Sequence, residues 1–141
     1  MLLIGNCFAQ QKPEDMIIGK WISEQGNLII KVFRENIDFK ATIVWFNDSN
    51  CKGTAPMEER LDTKNPNKSL RNRKIIGSNV LRGLTYNYTI KQWENGVIYD
   101  ATSGKEWQSV AWITKDGKLK IRGYWELEIF GRTMAFIRLS R

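Results

Sequence analysis

The stretch Ile37-Asp38-Phe39-Lys40-Ala41-Thr42-Ile43-Val44-Trp45-Phe46 decides the fold class. Ile37, Phe39, Ala41, Ile43 and Trp45 fall at every second position, with Asp38, Lys40 and Thr42 between them. Side chains along a strand point alternately to opposite faces, so this period predicts a half-buried β-strand. Upstream lie Ile17–Ser23, the turn Gln25-Gly26-Asn27, and Leu28–Phe33 closed by Arg34-Glu35-Asn36. Downstream come Val80–Ile90, the turn dipeptide Asn95-Gly96 leading into Gly96–Asp100, and Thr102-Ser103-Gly104. Then follow Glu106–Ile113, the hairpin signal Lys115-Asp116-Gly117, and Lys118–Tyr124. In that last run Leu119 and Ile121 share one face, with Lys118, Lys120 and Arg122 on the other. Glu126–Phe130 and Thr133–Leu139 end the chain, with Gly131 as a bend between them.

Eight or nine short strands separated by turns, with no helical period of ordinary length, predict an all-β fold. An even antiparallel meander favours a closed barrel of about eight strands, because closure removes exposed edges. Two packed sheets are the alternative. A length of 141 residues suits one domain, placed at 17–141. Residues 47–76 interrupt the rhythm: they are polar, contain Pro56 and Pro66, and are too long for a hairpin loop. Asn65-Pro66 predicts one short helix there, with Asn65 as its cap, so the segment could lie as a lid over one barrel mouth.

The ends and the composition bound the compartment and the chemistry. Met1–Ala9 is apolar and ends in Cys7-Phe8-Ala9, small at both positions that a signal peptidase reads, so residues 1–9 are expected to be the tail of a secretory signal. A frayed strand and a lipid anchor on Cys7 are the competing readings. Residues 10–16 read as a tether. The expected location is therefore secreted or periplasmic, and no later run approaches the roughly 20 apolar residues of a membrane span.

The chain contains no His, which excludes Ser-His-Asp and Cys-His nucleophilic sites and any His-containing zinc site. Cleavage after Ala9 would leave Cys51 alone, without a disulfide partner and without a His to activate it. Glycines sit at turns rather than in a phosphate loop. A carboxylate pair drawn from Asp62, Asp100, Glu106 and Glu128 is the one catalytic option left, and their spacing does not demand it. No catalytic residue, metal or cofactor is predicted. Net charge is +7, and Lys64, Lys68, Arg71, Arg73, Lys74 and Arg82 occur in one acid-free stretch. Nucleic acid is not expected as a partner, since export removes it.

Gly19-Lys20-Trp21 on the first strand, with Arg132 and Arg138 on the last, is similar to the signature of lipocalins and related calycin barrels. In those the Trp packs across the closed end and the Arg lies over its indole, a favourable cation–π arrangement. A fuller series resembles the bacterial domain-of-unknown-function family 2147. It runs through Gly19-Lys20-Trp21, Asp62-Thr63-Lys64-Asn65-Pro66 with Leu70-Arg71, Gly77, Leu81-Arg82-Gly83, Trp93 and Asn95-Gly96-Val97-Ile98-Tyr99-Asp100. Ser103-Gly104-Lys105, Arg122-Gly123-Tyr124 and Phe130-Gly131-Arg132-Thr133 continue it in the same order. Trp107 stands where that family more often has Tyr, and Asn95 where Gly is usual. The resemblance implies a small exported lipocalin-like barrel and supplies no ligand.

Candidate ligand-binding residues are Asp62, Asn65, Tyr99, Asp100, Arg122 and Tyr124, which are polar within the matched blocks, and the aromatics Phe39, Trp45, Trp107 and Trp112. A structural role competes: Asp62 and Asn65 could cap the short helix, Tyr99-Asp100 could tie the long loop to the barrel, and the aromatics could simply fill the core. The leading expectation is a carrier of a small apolar or amphipathic molecule. The alternative is a non-catalytic module that contacts envelope polysaccharide or peptidoglycan through exposed Trp and the basic stretch.

Overall fold

The computed structural model describes residues 11–47, 56–125 and 127–141, without the side chains of 125–130. Eight antiparallel strands close into one barrel in chain order. They are β1 Gly19–Ser23, β2 Leu28–Glu35, β3 Asp38–Phe46, β4 Asn79–Asn87, β5 Gln92–Asp100, β6 Lys105–Ile113, β7 Leu119–Trp125 and β8 Leu127–Ser140. The ring is sealed where β8 meets β1, with Trp21 opposite Arg138 and Ser23 opposite Phe136. That closure sets the two-sheet alternative aside. The interior is packed by Trp21, Val32, Phe39, Leu84, Trp93 and Phe136, none more than 2% exposed.

Several elements differ from their sequence reading, each for a local reason. Asn95-Gly96 lies inside β5 rather than at a turn. Asn95 does adopt the left-handed backbone (φ 64°) that makes such a dipeptide a turn former. Here it forms a bulge, shifting the register between Trp93↔Ala111 and Gly96↔Ser109. Gly96 is required because Leu84 fills its side: a Cβ there would lie 2.6 Å from the Leu84 Cδ2. The chain reverses instead between Asn87 and Gln92, where Lys91 takes the positive φ. The last two predicted strands are one continuous β8, and Gly131 permits close approach rather than a bend, since a Cβ would sit 2.4 Å from the Gly123 carbonyl oxygen.

The predicted helix is a single 3-10 turn, Lys68–Leu70, and its cap is Asn67, whose side chain accepts from the Ser69 amide. Asn65 sits one step earlier: its Oδ1 accepts from the Asn67 amide at 2.9 Å while its Nδ2 donates to Asp62. The stretch read as a tether folds onto the barrel: Pro13–Ile17 forms a 3-10 turn and Ile17 is fully buried. Residues 1–9 and Cys51 lie outside the described residues.

Candidate functional site

The barrel is plugged at the end where the Pro13–Ile17 turn enters. Burying Trp21 strands its indole N–H unless a carbonyl is supplied, and Ile17 supplies one at 2.9 Å. Arg138 lies over the Trp21 ring, 4.1 Å from its centroid. Its guanidinium donates to the carbonyls of Ile18 and Met16. Burial, with Arg141 nearby, lowers its pKa from the ordinary arginine value. Gly19 is left-handed (φ 137°), and a Cβ would strike the Ser140 carbonyl oxygen at 2.3 Å. Gly19, Trp21 and Arg138 therefore form one unit. Arg132 does not join it; it is exposed and pairs in register with Gly123. Arg34 binds Glu14 at 2.9 Å and Asp15 at 3.3 Å, and Trp93 Nε1 donates to the Glu14 carbonyl, fastening the plug from the opposite wall. A cleft of about 160 Å³ beside the plug is lined by Pro13, Met16, Tyr86, Lys91, Trp93 and Ile113. It falls short of the few hundred Å³ of ordinary ligand pockets.

A second constellation pins the long loop to the outside of β5. Tyr99 follows inward-facing Ile98, so it points outward, yet it is only 7% exposed because the loop covers it. Asp62, 1% exposed, accepts from Tyr99 Oη at 2.6 Å, from Asn65 Nδ2 at 2.8 Å and from Arg73 Nε at 3.0 Å. Arg73 also lies over the Tyr99 ring, and Arg71 Nε donates to the Asn65 carbonyl. Desolvation, then the hydrogen bond to Asp62, pushes the Tyr99 phenol up to about 12. Lys64 Nζ donates to the Thr102 carbonyl, while its own carbonyl occupies the space a Gly104 side chain would need. Much of the basic stretch is thus spent holding the loop. Asp100 closes the β5–β6 turn: burial raises its pKa, but hydrogen bonds from Thr102 and Ser103 outweigh this and bring it below the usual value.

The inner wall between these two regions carries a row of small residues. Register places Gly96 opposite Ser109 and Ser109 opposite Gly123, all on the face of buried Ala111. Ser109 is fully buried, and its hydroxyl has no hydrogen-bond partner among the described residues. A Cβ on Gly123 would meet Ile98 Cδ1 at 3.4 Å and Trp107 Cβ at 3.6 Å, ordinary contact distances that leave room for a methyl group. Further along, Met134 pairs with inward Ile121 and is 40% exposed, so solvent reaches the inner wall there. A hydroxyl held in an apolar interior without a partner bears the full cost of its desolvation.

The candidate residues therefore separate into four places. Phe39 is core, 1% exposed. Trp107 lies on the inner wall beside Gly123. Asp62, Asn65 and Tyr99 form the loop lock, with Asp100 at the adjoining turn. Trp45, Trp112, Arg122 and Tyr124 face outward instead of toward a cavity. A register shift in β2–β3 pairs Trp45 with Ile29, the outward neighbour of buried Ile30. Trp112 sits on the face opposite Ser109 and Ala111, paired with Lys120. Arg122 donates to Thr133 on the same outer surface, and Tyr124 alternates with inward Gly123. Sequence reasoning missed Ser109 because it weighted large aromatics. The alternation Ser109-x-Ala111 against Val110-x-Trp112 contained the signal, since a narrow barrel admits small side chains inward.

A closed eight-stranded antiparallel barrel with a Trp–Arg plug defines a lipocalin-like protein. The chain belongs to a family described as uncharacterized protein conserved in bacteria (DUF2147), whose profile matches residues 19–138. Among solved structures it is similar to one described as "Protein HP1028 from the human pathogen Helicobacter pylori belongs to the lipocalin family". The identity is 22% and the TM-score 0.71, covering 87% of this chain and 82% of that one, a likeness of fold. No curated protein matches the chain.

Proposed function

We propose that this protein binds a small amphipathic molecule against the inner wall of the barrel mouth. The observation that carries the reading is the Ser109 hydroxyl, buried, inward-facing and unpartnered. A ligand's polar group would accept from or donate to Ser109 Oγ, while its apolar part would lie along Ile98, Trp107 and the bare backbone of Gly123. The fold supports the reading: an eight-stranded barrel interior holds side chains or one small ligand, and one end of this barrel is plugged. On the same reading the protein is an exported, non-catalytic carrier, secreted or periplasmic. The support for export is the apolar Met1–Ala9 with its small cleavage-site residues, and the support for binding over catalysis is the absence of His.

Native mass spectrometry of protein purified from its source organism should reveal a bound small molecule that is displaced on denaturation. Gly123→Ala, which the wall has room for, should weaken rebinding of that molecule by narrowing the mouth, with Tm nearly unchanged. A protein that arrives with no bound molecule, and binds no fluorescent fatty-acid analogue in titration, would end this reading.

A further inference from the structure

The outer surface of β2, β1 and β8 combines two features that each work against an isolated soluble barrel. The first is apolar. Register sets Ile29 opposite Ile22 and Ile22 opposite Ile137, and all three face outward, since their neighbours Ile30, Trp21 and Phe136 fill the core. Ile22 and Ile29 are half-buried, Ile137 is 47% exposed and Leu139, two residues along the same strand face, 51% exposed. Isolated exposed apolar residues need no explanation, but a contiguous row across three strands does.

The second feature is charge. Lys20 and Lys31 stand directly opposite each other on the same outer surface, next to that row. Like charges in facing strand positions are destabilising. Neither lysine forms an ion pair with a carboxylate among the described residues. The carboxylates at the ends of these two strands are engaged elsewhere: Glu24, just beyond β1, binds Lys118 at 2.7 Å, and Glu35, at the end of β2, binds Lys40 at 3.1 Å. On the far side of β8, Lys120 of β7 also faces outward, opposite Ala135. Among the described residues Lys20 and Lys31 have no carboxylate to balance them, whereas Lys120 lies within the field of Glu24 and Asp116.

We propose that this surface docks on an anionic lipid surface, with Ile22, Ile29, Ile137 and Leu139 seated in the headgroup–acyl boundary and Lys20, Lys31 and Lys120 against the headgroup charge. A lipid interface satisfies both features together: it offers apolar depth to the row and negative charge to the lysines around it. A second copy of this chain would bring lysine against lysine. A soluble polyanion would answer the lysines and leave the isoleucines without a partner. The net charge of +7 adds long-range attraction to the same surface.

The test is co-sedimentation of the full chain with phosphatidylcholine vesicles, with and without phosphatidylglycerol. The protein should sediment with the anionic vesicles and not with the neutral ones. Lys20→Gln and Lys31→Gln should each reduce partitioning roughly five-fold, without loss of Tm, since they relieve repulsion. Ile137→Ser, at an exposed position, should also reduce it several-fold. Equal sedimentation with both vesicle types, or none with either, overturns the proposal. Sensitivity to the lysine variants with none to Ile137→Ser overturns it in favour of a polysaccharide-like polyanion. A dimer in sedimentation velocity that Ile137→Ser dissociates overturns it in favour of self-association.

Discussion

At the plugged end, buried polarity is matched by local backbone: Trp21 Nε1 reaches Ile17, Arg138 reaches Met16 and Ile18, and Trp93 Nε1 reaches Glu14. At the mouth the same need is met at long range on the outside and left unmet on the inside. Outside, Asp62 gathers Asn65, Arg73 and Tyr99 across as many as 37 positions in the chain. Inside, the Ser109 hydroxyl has no partner among the described residues. The contrast separates what the barrel needs to fold from what it keeps available, and each region can be perturbed to test that division.

The largest effect is expected at the loop lock. Asp62→Ala removes both carboxylate oxygens and orphans the Tyr99 hydroxyl and the Asn65 amide, each buried. Arg73 is about one-third exposed, at 33%, and recovers water, which limits the loss. The expected destabilisation is about 3 kcal/mol, seen as a lower midpoint in urea. Asp62→Asn, which keeps an oxygen acceptor in place, should cost less. A loss below about 0.5 kcal/mol for the alanine variant would mean that the lock contributes no more than a surface pair.

Arg138→Met should come next, at roughly 1–3 kcal/mol. Methionine preserves much of the packing over Trp21 but leaves the Met16 and Ile18 carbonyls without their donor. The plug should then loosen first, so amide exchange should accelerate at residues 14–18 ahead of the strands. Uniform acceleration throughout the barrel would show that the plug is not a separable unit.

These two regions also differ in how far the sequence disclosed them. Gly19, Trp21 and Arg138 were legible because a left-handed glycine, a buried indole and a guanidinium over it form a compact pattern at fixed ends of the chain. The strand rhythm was legible for the same reason: alternation is local. The loop lock was half legible. Asp62, Asn65 and Tyr99 stood out as polar residues within the matched blocks, but their convergence depends on the tilt of β5 and the path of residues 56–78, which no local period encodes. Alternation with Phe39 and Ile43 points Trp45 inward, and aromatic bulk suggests the same for Trp112. A bulge opposite Ile29 and the alternation of Ser109 with Ala111 reverse both, and a bulge is a one-residue event that alternation alone does not locate.

The loop lock can also be opened by alkali, which distinguishes it from the plug. The Tyr99 pKa is about 12 in the folded protein, against about 10 in an unfolded chain. The folded state thus holds the proton more tightly. Below pH 10 Tyr99 is neutral in both states and its contribution is fully present; as pH rises from 10 to 12 the unfolded state ionises first and that contribution is lost. Urea midpoints of the native protein should therefore fall more steeply over this range than those of Tyr99→Phe, which has no proton to lose. Lysines titrate in the same window but are common to both proteins, so the difference isolates Tyr99. Parallel curves would show that the phenol is not held by burial and Asp62.

The smallest effect is the most informative about the mouth, because its sign is opposite. Ser109→Ala deletes a hydroxyl that is desolvated and unpaired, and leaves Cβ in place against Gly96 and Gly123. Removing an unsatisfied polar group should stabilise the empty protein by about 1 kcal/mol, a rise in Tm of a few degrees. The same change should weaken binding of the molecule co-purified with the protein, because the ligand's polar end loses its anchor. A group retained at a cost to stability and repaid on binding is the signature of a site. If Ser109→Ala lowers Tm instead, an ordered water satisfies the hydroxyl, and the inner wall is ordinary core like the packing around Trp21.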